Sequence, residues 1–239
     1  MSDSAVGVVG DSGVADRLRA VGAAVTEGTV DSVPRTERVV AVGQPAVRAV
    51  AAADTDPLVV PVAAGRGVRS VTRDAVPAAV AGLNEAGTER HPLFAVAADG
   101  EDVVTAVFDV TAVTAEAARI SEYAVAATTD SVGQFRADGV TLATPAGSPG
   151  YARRIGGPVL APAESVGVVA PIAPFQTNPD HWVVSLDGLS VSVERDEATV
   201  ALYADGDEVT TVACGETVRL QRAGTLRVAV VEDCCSRLR

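Results

Sequence analysis

Residues Asp138 to Pro158 read DGVTLATPAGSPGYARRIGGP. Val140-Thr141-Leu142-Ala143-Thr144 is rich in β-branched residues and bounded by Asp-Gly before and Pro after, which predicts a strand. Pro145 and Gly147 end it. Ser148 has the side chain of an N-cap, and Pro149 then falls at the first helical position, where a missing N–H costs nothing. A helix N-terminus in a glycine-containing loop can hold a phosphate or another anion through its free N–H groups and dipole. The plainer reading is a strand-to-helix connection with no ligand.

The chain before this stretch opens on Val6-Gly7-Val8-Val9-Gly10, then Asp11-Ser12-Gly13 and a helical pattern through Val14, Leu18 and Val21. The alternation recurs, with a strand over 38–42, a helix over 44–53, a strand over 58–62 and a helix over 73–82. Strands alternating with helices predict a Rossmann-like α/β domain with a parallel sheet. From His91 onward short strand-like runs succeed one another with turn residues between them, 103–110 among them, which predicts a mostly antiparallel all-β domain. The expected organisation is α/β + β, with an N-terminal domain over 1–87 and a C-terminal domain over 88–239 whose last residues pack back on the first. Asp99-Gly100, Asp187-Gly188 and Asp205-Gly206 read as tight hairpins, since both central residues of a type I′ turn need positive φ. Asp138-Gly139 stands apart because it leads into the opening stretch.

The 239 residues carry a formal charge of −12, with 31 acidic side chains against 19 basic ones, every one of them Arg. Without a basic cluster, so acidic a surface excludes nucleic acid and anionic membrane as partners. A dense carboxylate surface with no Lys reads as adaptation to a salt-rich cytoplasm; GC-rich codon bias is the competing explanation. The N-terminus has neither a charged n-region nor a long apolar run, so a cytoplasmic location is expected. Cys214, Cys234 and Cys235 lack metal-ligand spacing, and no metal site is expected. His91 and His181 read as surface or rim residues.

TPAGSPGY, preceded by Arg136-Ala137-Asp138-Gly139 and followed by Gly156-Gly157-Pro158, resembles the TPTGSTAY signature of the NAD kinase family, with that family's RADG and GGP around it. Gly65 to Thr72, Arg90 to Leu93 and Ala170 to Pro174 resemble further family segments, so the likeness extends over nearly the whole chain. In place of the family's histidine after P-I-x-P stands Phe175. The resemblance implies an α/β domain followed by a β domain. It implies transfer of the ATP or polyphosphate γ-phosphoryl to the 2′-hydroxyl of NAD with Mg²⁺, and a homo-oligomer. It assigns dinucleotide binding to Asp138, Gly139, Thr144, Gly147, Ser148 and Tyr151, with Asp138 on the nicotinamide end and the Tyr151 ring against the nucleotide.

Two parts of the family's machinery are rewritten. Its GGDGT loop, the source of a carboxylate and a phosphate cradle, should come after Val39 to Val42, where Gly43-Gln44-Pro45-Ala46 stands. Gln44 cannot act as a base, and Pro45 removes a backbone donor. The family's Asn-Glu pair falls on Phe108-Asp109; Leu83-Asn84-Glu85 has the right letters but lies at a helix end. The expected function is therefore a nucleotide- or dinucleotide-binding relative, catalytically impaired or regulatory, with NAD(P), and ATP with Mg²⁺, as ligands if the family activity is retained. The alternatives are an active divergent kinase that recruits Asp109 or Asp11 as its carboxylate, and a structural or oligomerisation protein.

Overall fold

The computed structural model describes residues 5–98, 101–116, 119–128, 130–162, 165–195 and 198–235. The chain divides into two compact units, one of residues 1–91 with 225–239 and the other of residues 92–224. Among the described residues no helix is long and apolar enough to cross a membrane. The hairpin expected at Asp99-Gly100 lies outside the described residues.

In the first unit, β1 (Val6–Val9), β2 (Val25–Gly28), β3 (Arg38–Val42) and β4 (Leu58–Val62) form a parallel sheet in the order β2-β1-β3-β4. The far end of β16 (Thr217–Val230) adds to β4 in parallel, with Arg227 opposite Leu58. Val8, Val40, Val60 and Ala229 share one core with Val14 and Leu18 of α1 (Ser12–Ala20) and Val76 of α3 (Val76–Ala81). β2 carries an exposed middle at Thr26-Glu27, so its sequence shows no apolar alternation to read. Asp11 caps α1, accepting from the Gly13 and Val14 N–H groups at 2.9 and 3.3 Å, while Arg73 Nε donates to its other oxygen at 3.1 Å. The Arg73 hydrogen bond holds this carboxyl below its ordinary range. The Asp11 carboxylate is thus engaged by the helix cap on one oxygen and by Arg73 on the other.

His91 is fully buried, contrary to the rim position its sequence suggests. It lies on β5 (Gly87–Ala98), two residues after Glu89 and on the same face. Glu89 Oε2 is 3.6 Å from His91 Nε2, and Glu89 Oε1 accepts from Arg69 Nε at 2.6 Å. Burial alone would raise the Glu89 carboxyl, but His91 and Arg69 outweigh it and bring it down to about 2. A depressed acid stabilises the fold above its unfolded value and loses that contribution as pH falls toward 2. Glu89→Gln is expected to cost about 2 kcal/mol at pH 7 and progressively less below pH 4.5. Urea unfolding of both proteins between pH 2 and 8 measures the difference.

The second unit holds two antiparallel arrays. In one, the near end of β16, β13 (Leu189–Arg195), β8 (Ser121–Ala127) and β9 (Asp130–Ala137) pair in that order, while β5 pairs with β6 (Glu101–Ala106). The other is a six-stranded sheet. Its order is β12 (Trp182–Ser185), β11 (Val166–Ile172), β10 (Gly139–Ala143), β7 (Asp109–Thr114), β14 (Val200–Ala204), β15 (Asp207–Val212). Alternating residues of both arrays, including Phe94, Tyr123, Val125, Val191, Leu142, Val169 and Leu202, meet in one core.

Asp205-Gly206 forms the expected hairpin, with φ of 51° and 87° joining β14 to β15. Asp187-Gly188 does not. It connects β12, which pairs with β11, to β13, which pairs with β8 and β16, so the chain changes sheets there. The predicted strand over 103–110 is two strands, β6 and β7, broken at Val107-Phe108.

Candidate functional site

β10 is buried along its whole length. Val140 and Leu142 face the main core, while Ala143 packs with Ala152, Val168 and Ala170. The loop after it is built around Thr144, which is fully buried. Its Oγ1–H donates to the Val107 carbonyl at 2.7 Å, and the same oxygen accepts from the Ala146 and Gly147 N–H groups at 3.1 and 3.2 Å. The Thr144 N–H donates to the Phe108 carbonyl at 2.9 Å. Gly147 lies flat on that turn, and a Cβ added there would be 2.5 Å from the Phe108 carbonyl carbon. Ser148 is also fully buried; its hydroxyl donates to the Pro145 carbonyl and accepts from the Leu160 N–H, both at 2.9 Å.

These contacts correct the expected anion cradle. The helix here, α4 (Tyr151–Arg154), is a single turn with Gly150 at its N-cap, so Ser148 does not cap it and Pro149 lies before it. The N–H groups of Ala146, Gly147, Ser148 and Gly150 all have acceptors within the loop, and Pro145 and Pro149 have none to offer. Of the motif's side chains, Tyr151 is the one presented outward, at 41% exposure.

Asp138 sits at the opposite end of β10, which pairs Gly139 with Val113 and Ala143 with Asp109. The five residues of β10 separate Asp138 from Thr144, six steps that span roughly 20 Å at about 3.3 Å each. The structure therefore brings Thr144, Gly147 and Ser148 together with Phe108 and Asp109, and leaves Asp138 and Gly139 apart. Gly139 is buried, and a Cβ there would be 2.5 Å from the Ala112 carbonyl oxygen. The Asp138 backbone is held by its carbonyl accepting from the Thr114 N–H at 2.8 Å and its N–H donating to Ile172 at 3.0 Å.

A residue that sequence reasoning missed organises the other side of the loop. The Asp205 carboxylate accepts from three consecutive backbone N–H groups, those of Val107, Phe108 and Asp109, at 2.8, 2.6 and 3.0 Å. Its own N–H donates to the Asp109 carbonyl at 2.8 Å. Phe108 is buried and carries no hydrogen-bonding side-chain group. Asp109 is half-buried; burial first, and the Asp205 charge second, push its carboxyl up to about 6.

An acid raised in this way makes the folded state hold its proton more tightly than the unfolded chain, so its ionisation removes stability as pH climbs from about 4 to about 6. Asp109→Asn is expected to match the parent below pH 4 and to be more stable by about 1–2 kcal/mol above pH 6, a value reduced for the partial exposure. Thermal melts across that range check the sign.

In the first unit, α2 (Gly43–Ala52) begins on the residue after β3. Gly43 makes the turn with φ of 82°, a conformation a side chain would oppose. Pro45 lies in the first helical turn, and the Gln44 side-chain nitrogen is 3.5 Å from the Ala64 carbonyl. Nothing from Gly43 to Ala46 carries a charge. Asn84, of the Leu83-Asn84-Glu85 run, accepts from Arg38 at 2.6 Å at a helix end.

A family model described as the ATP-NAD kinase C-terminal domain matches residues 108–231, more than half of the 239. The NAD kinases of Methanosarcina barkeri and Methanosarcina acetivorans are 31% and 32% identical over 141 residues, 57% of this chain and 50% of each relative. The chain thus spans about half the length of the curated relatives it matches. An NAD kinase from Archaeoglobus fulgidus, solved in complex with ATP, superposes with a TM-score of 0.75 at 21% identity over 95% of this chain and 94% of that one. Yeast NADH kinase complexed with NADH gives 0.71 at 16% identity, over 88% and 67%. These two likenesses establish the fold. With the family model covering β7 through β16, including the strand and loop built around Thr144, the chain belongs to the NAD kinase family.

Proposed function

We propose that this protein binds a nucleotide or dinucleotide and is impaired in phosphoryl transfer, a regulatory member of its family. The observation that carries this reading is the start of α2 directly after β3, with Pro45 in its first turn and no carboxylate from Gly43 to Ala46. Phosphoryl transfer is catalysed by positioning and charge neutralisation, and a missing general base alone typically costs about 10²–10⁴-fold. Nor do the residues present fit a protein-held Mg²⁺. Among the described residues no group of three or more His, Cys, Asp or Glu could hold a metal, and the Asp205 oxygens are occupied by backbone N–H groups. A divalent ion would arrive as part of a nucleotide substrate. Tyr151, exposed beside the Thr144 loop, would pack on a base or nicotinamide ring, a role its exposure supports, and Asp138 would serve a separate contact.

One observation favours a second reading, an active divergent kinase making NADP. A carboxyl raised to about 6, as Asp109 is, suits a general base near neutral pH. The deciding experiment is NADP formation from NAD with ATP or polyphosphate and Mg²⁺ in high salt. No turnover is expected; turnover abolished by Asp109→Asn would establish the second reading. Thermal shifts with NAD, NADP, NADH and ATP then test binding, since a ligand at 100 times its Kd stabilises by about 2.7 kcal/mol. No shift with any of them would leave a structural or oligomerisation role, which light scattering addresses.

A further inference from the structure

We propose that Cys234 and Cys235 form a reversible dithiol–disulfide site that latches the C-terminal segment onto the loop of residues 64–71. Cys235 grips both ends of that loop: its N–H donates to the Ser70 carbonyl at 3.0 Å, and its Sγ–H points to the Gly65 carbonyl at 3.9 Å. The loop closes on itself through the Ala64 N–H, which donates to Ser70 Oγ at 2.9 Å, and through Ala63 N–H to the Val71 carbonyl at 3.0 Å. On its other side the Ala64 carbonyl meets Gln44. Cys234 is turned back by its N–H donating to Val231 at 3.2 Å and packs its side chain against the apolar core of the first unit. All three cysteines are free thiols, and Cys214 is distant in sequence and exposed.

The reaction is a two-electron exchange with a low-molecular-weight disulfide. Burial and the neighbouring Cys234 push the Cys235 thiol up despite Arg66 and Arg69, so Cys235 suits the second step, in which its proton is handed on as it attacks. The Cys234 thiolate bonds to one sulfur of the reagent and expels the other as a thiol. Cys235 then attacks Cys234 Sγ, its proton passing to the second departing thiolate. Two protein thiols are oxidised to one disulfide and one reagent disulfide is reduced to two thiols. Adjacent Cα atoms are about 3.80 Å apart across a trans peptide, below the usual disulfide range of about 4.4–6.8 Å, so the ring is strained and readily reduced again. Closing it draws the Cys235 sulfur away from Gly65 and twists the peptide whose N–H holds Ser70, which frees the loop.

The test uses the full chain equilibrated in buffers of oxidised and reduced glutathione, alongside Cys214→Ser, Cys234→Ser and Cys235→Ser. Cys214→Ser is expected to lose two hydrogen atoms by intact mass without retaining glutathione, and the parent to lose the same two while carrying at most one glutathione, on the exposed Cys214, with the loss mapped to the tryptic peptide of residues 228–237. Cys234→Ser and Cys235→Ser should instead stop at a glutathione adduct or stay unmodified. Amide exchange at Ala64 and Cys235 should rise by about tenfold on oxidation and return on reduction, corresponding to about 1.4 kcal/mol of lost protection. Glutathione retained on residues 228–237, or intermolecular cross-links in Cys214→Ser, would overturn the site. Ring closure with unchanged exchange at residues 63–71 would overturn the latch.

Discussion

Gly147→Ala is expected to destabilise the protein by about 3–4 kcal/mol, a cost set by backbone rather than by side-chain packing. The added methyl group would press on the Phe108 carbonyl oxygen, far inside the 3.0 Å that real Cβ atoms essentially never show. A flexible side chain could swing away, but this carbonyl cannot. It already accepts from the Thr144 N–H at 2.9 Å, and the peptides on either side are held by the Asp205 carboxylate. Relief would require either the loop or the turn to give up those hydrogen bonds, each worth about 1 kcal/mol and more where a charge accepts. Gly82→Ala is the control, because a Cβ there meets nothing within 4 Å; it should change stability by no more than about 0.5–1 kcal/mol. Chemical denaturation of both variants reads the difference, and a Gly147→Ala midpoint equal to that of Gly82→Ala would mean that the loop is not pressed against Phe108 in solution.

The same contact explains what could and could not be read from the sequence. Val140 to Thr144 was legible as a strand from its β-branched run, and TPAGSPGY was legible as a family signature. Its local chemistry was not, because Thr144 binds the backbone of Val107, 37 positions away, instead of leaving its neighbours' N–H groups free. A capping residue is recognised by the helical turn on its C-terminal side, within three positions. Ser148 met that pattern, yet its hydroxyl is held by Pro145 behind it and Leu160 far ahead. The break between β6 and β7 was equally hidden, since Val107-Phe108 is apolar and continues a strand-like run; the interruption comes from a carboxylate in a distant hairpin. His91 differs, because a signal was present. Glu89 and His91 two apart on a strand share a face, and a Glu paired with a His on a mostly apolar strand points to burial with compensation. At Gly43 to Ala46 the departure from the family loop was plain in the residues themselves, and the helix starting on Gly43 is its structural consequence.

Asp205→Ala is expected to cost about 4 kcal/mol, and Asp205→Asn roughly half of that. Removing the carboxylate leaves three adjacent N–H donors of Val107, Phe108 and Asp109 without the acceptor that now takes them at 2.6–3.0 Å. Charge-assisted hydrogen bonds of this kind are worth about 1.5–3 kcal/mol each, and partial access of water to the turn reduces their sum. An opposing effect runs through Asp109. Its carboxyl is held at about 6 by burial and by the Asp205 charge, so removing that charge eases its ionisation and returns part of the loss above pH 6. The net cost should therefore be largest near pH 4, where Asp109 is neutral in both proteins, and smaller near pH 8. Asn keeps one carbonyl acceptor but no charge, which places it between the parent and Ala while lowering the Asp109 value almost as much as Ala does. Unfolding at the two pH values, with a carbon-13 titration of the Asp109 carboxyl, separates the two effects. A cost that does not change with pH, or an Asp109 that still titrates near 6 in both variants, would show that the two carboxyls do not sense each other across the turn. The hairpin at Asp205-Gly206 would then be a bend that happens to lie beside Phe108, rather than the clamp that fixes where β7 begins and on what surface the Thr144 loop rests.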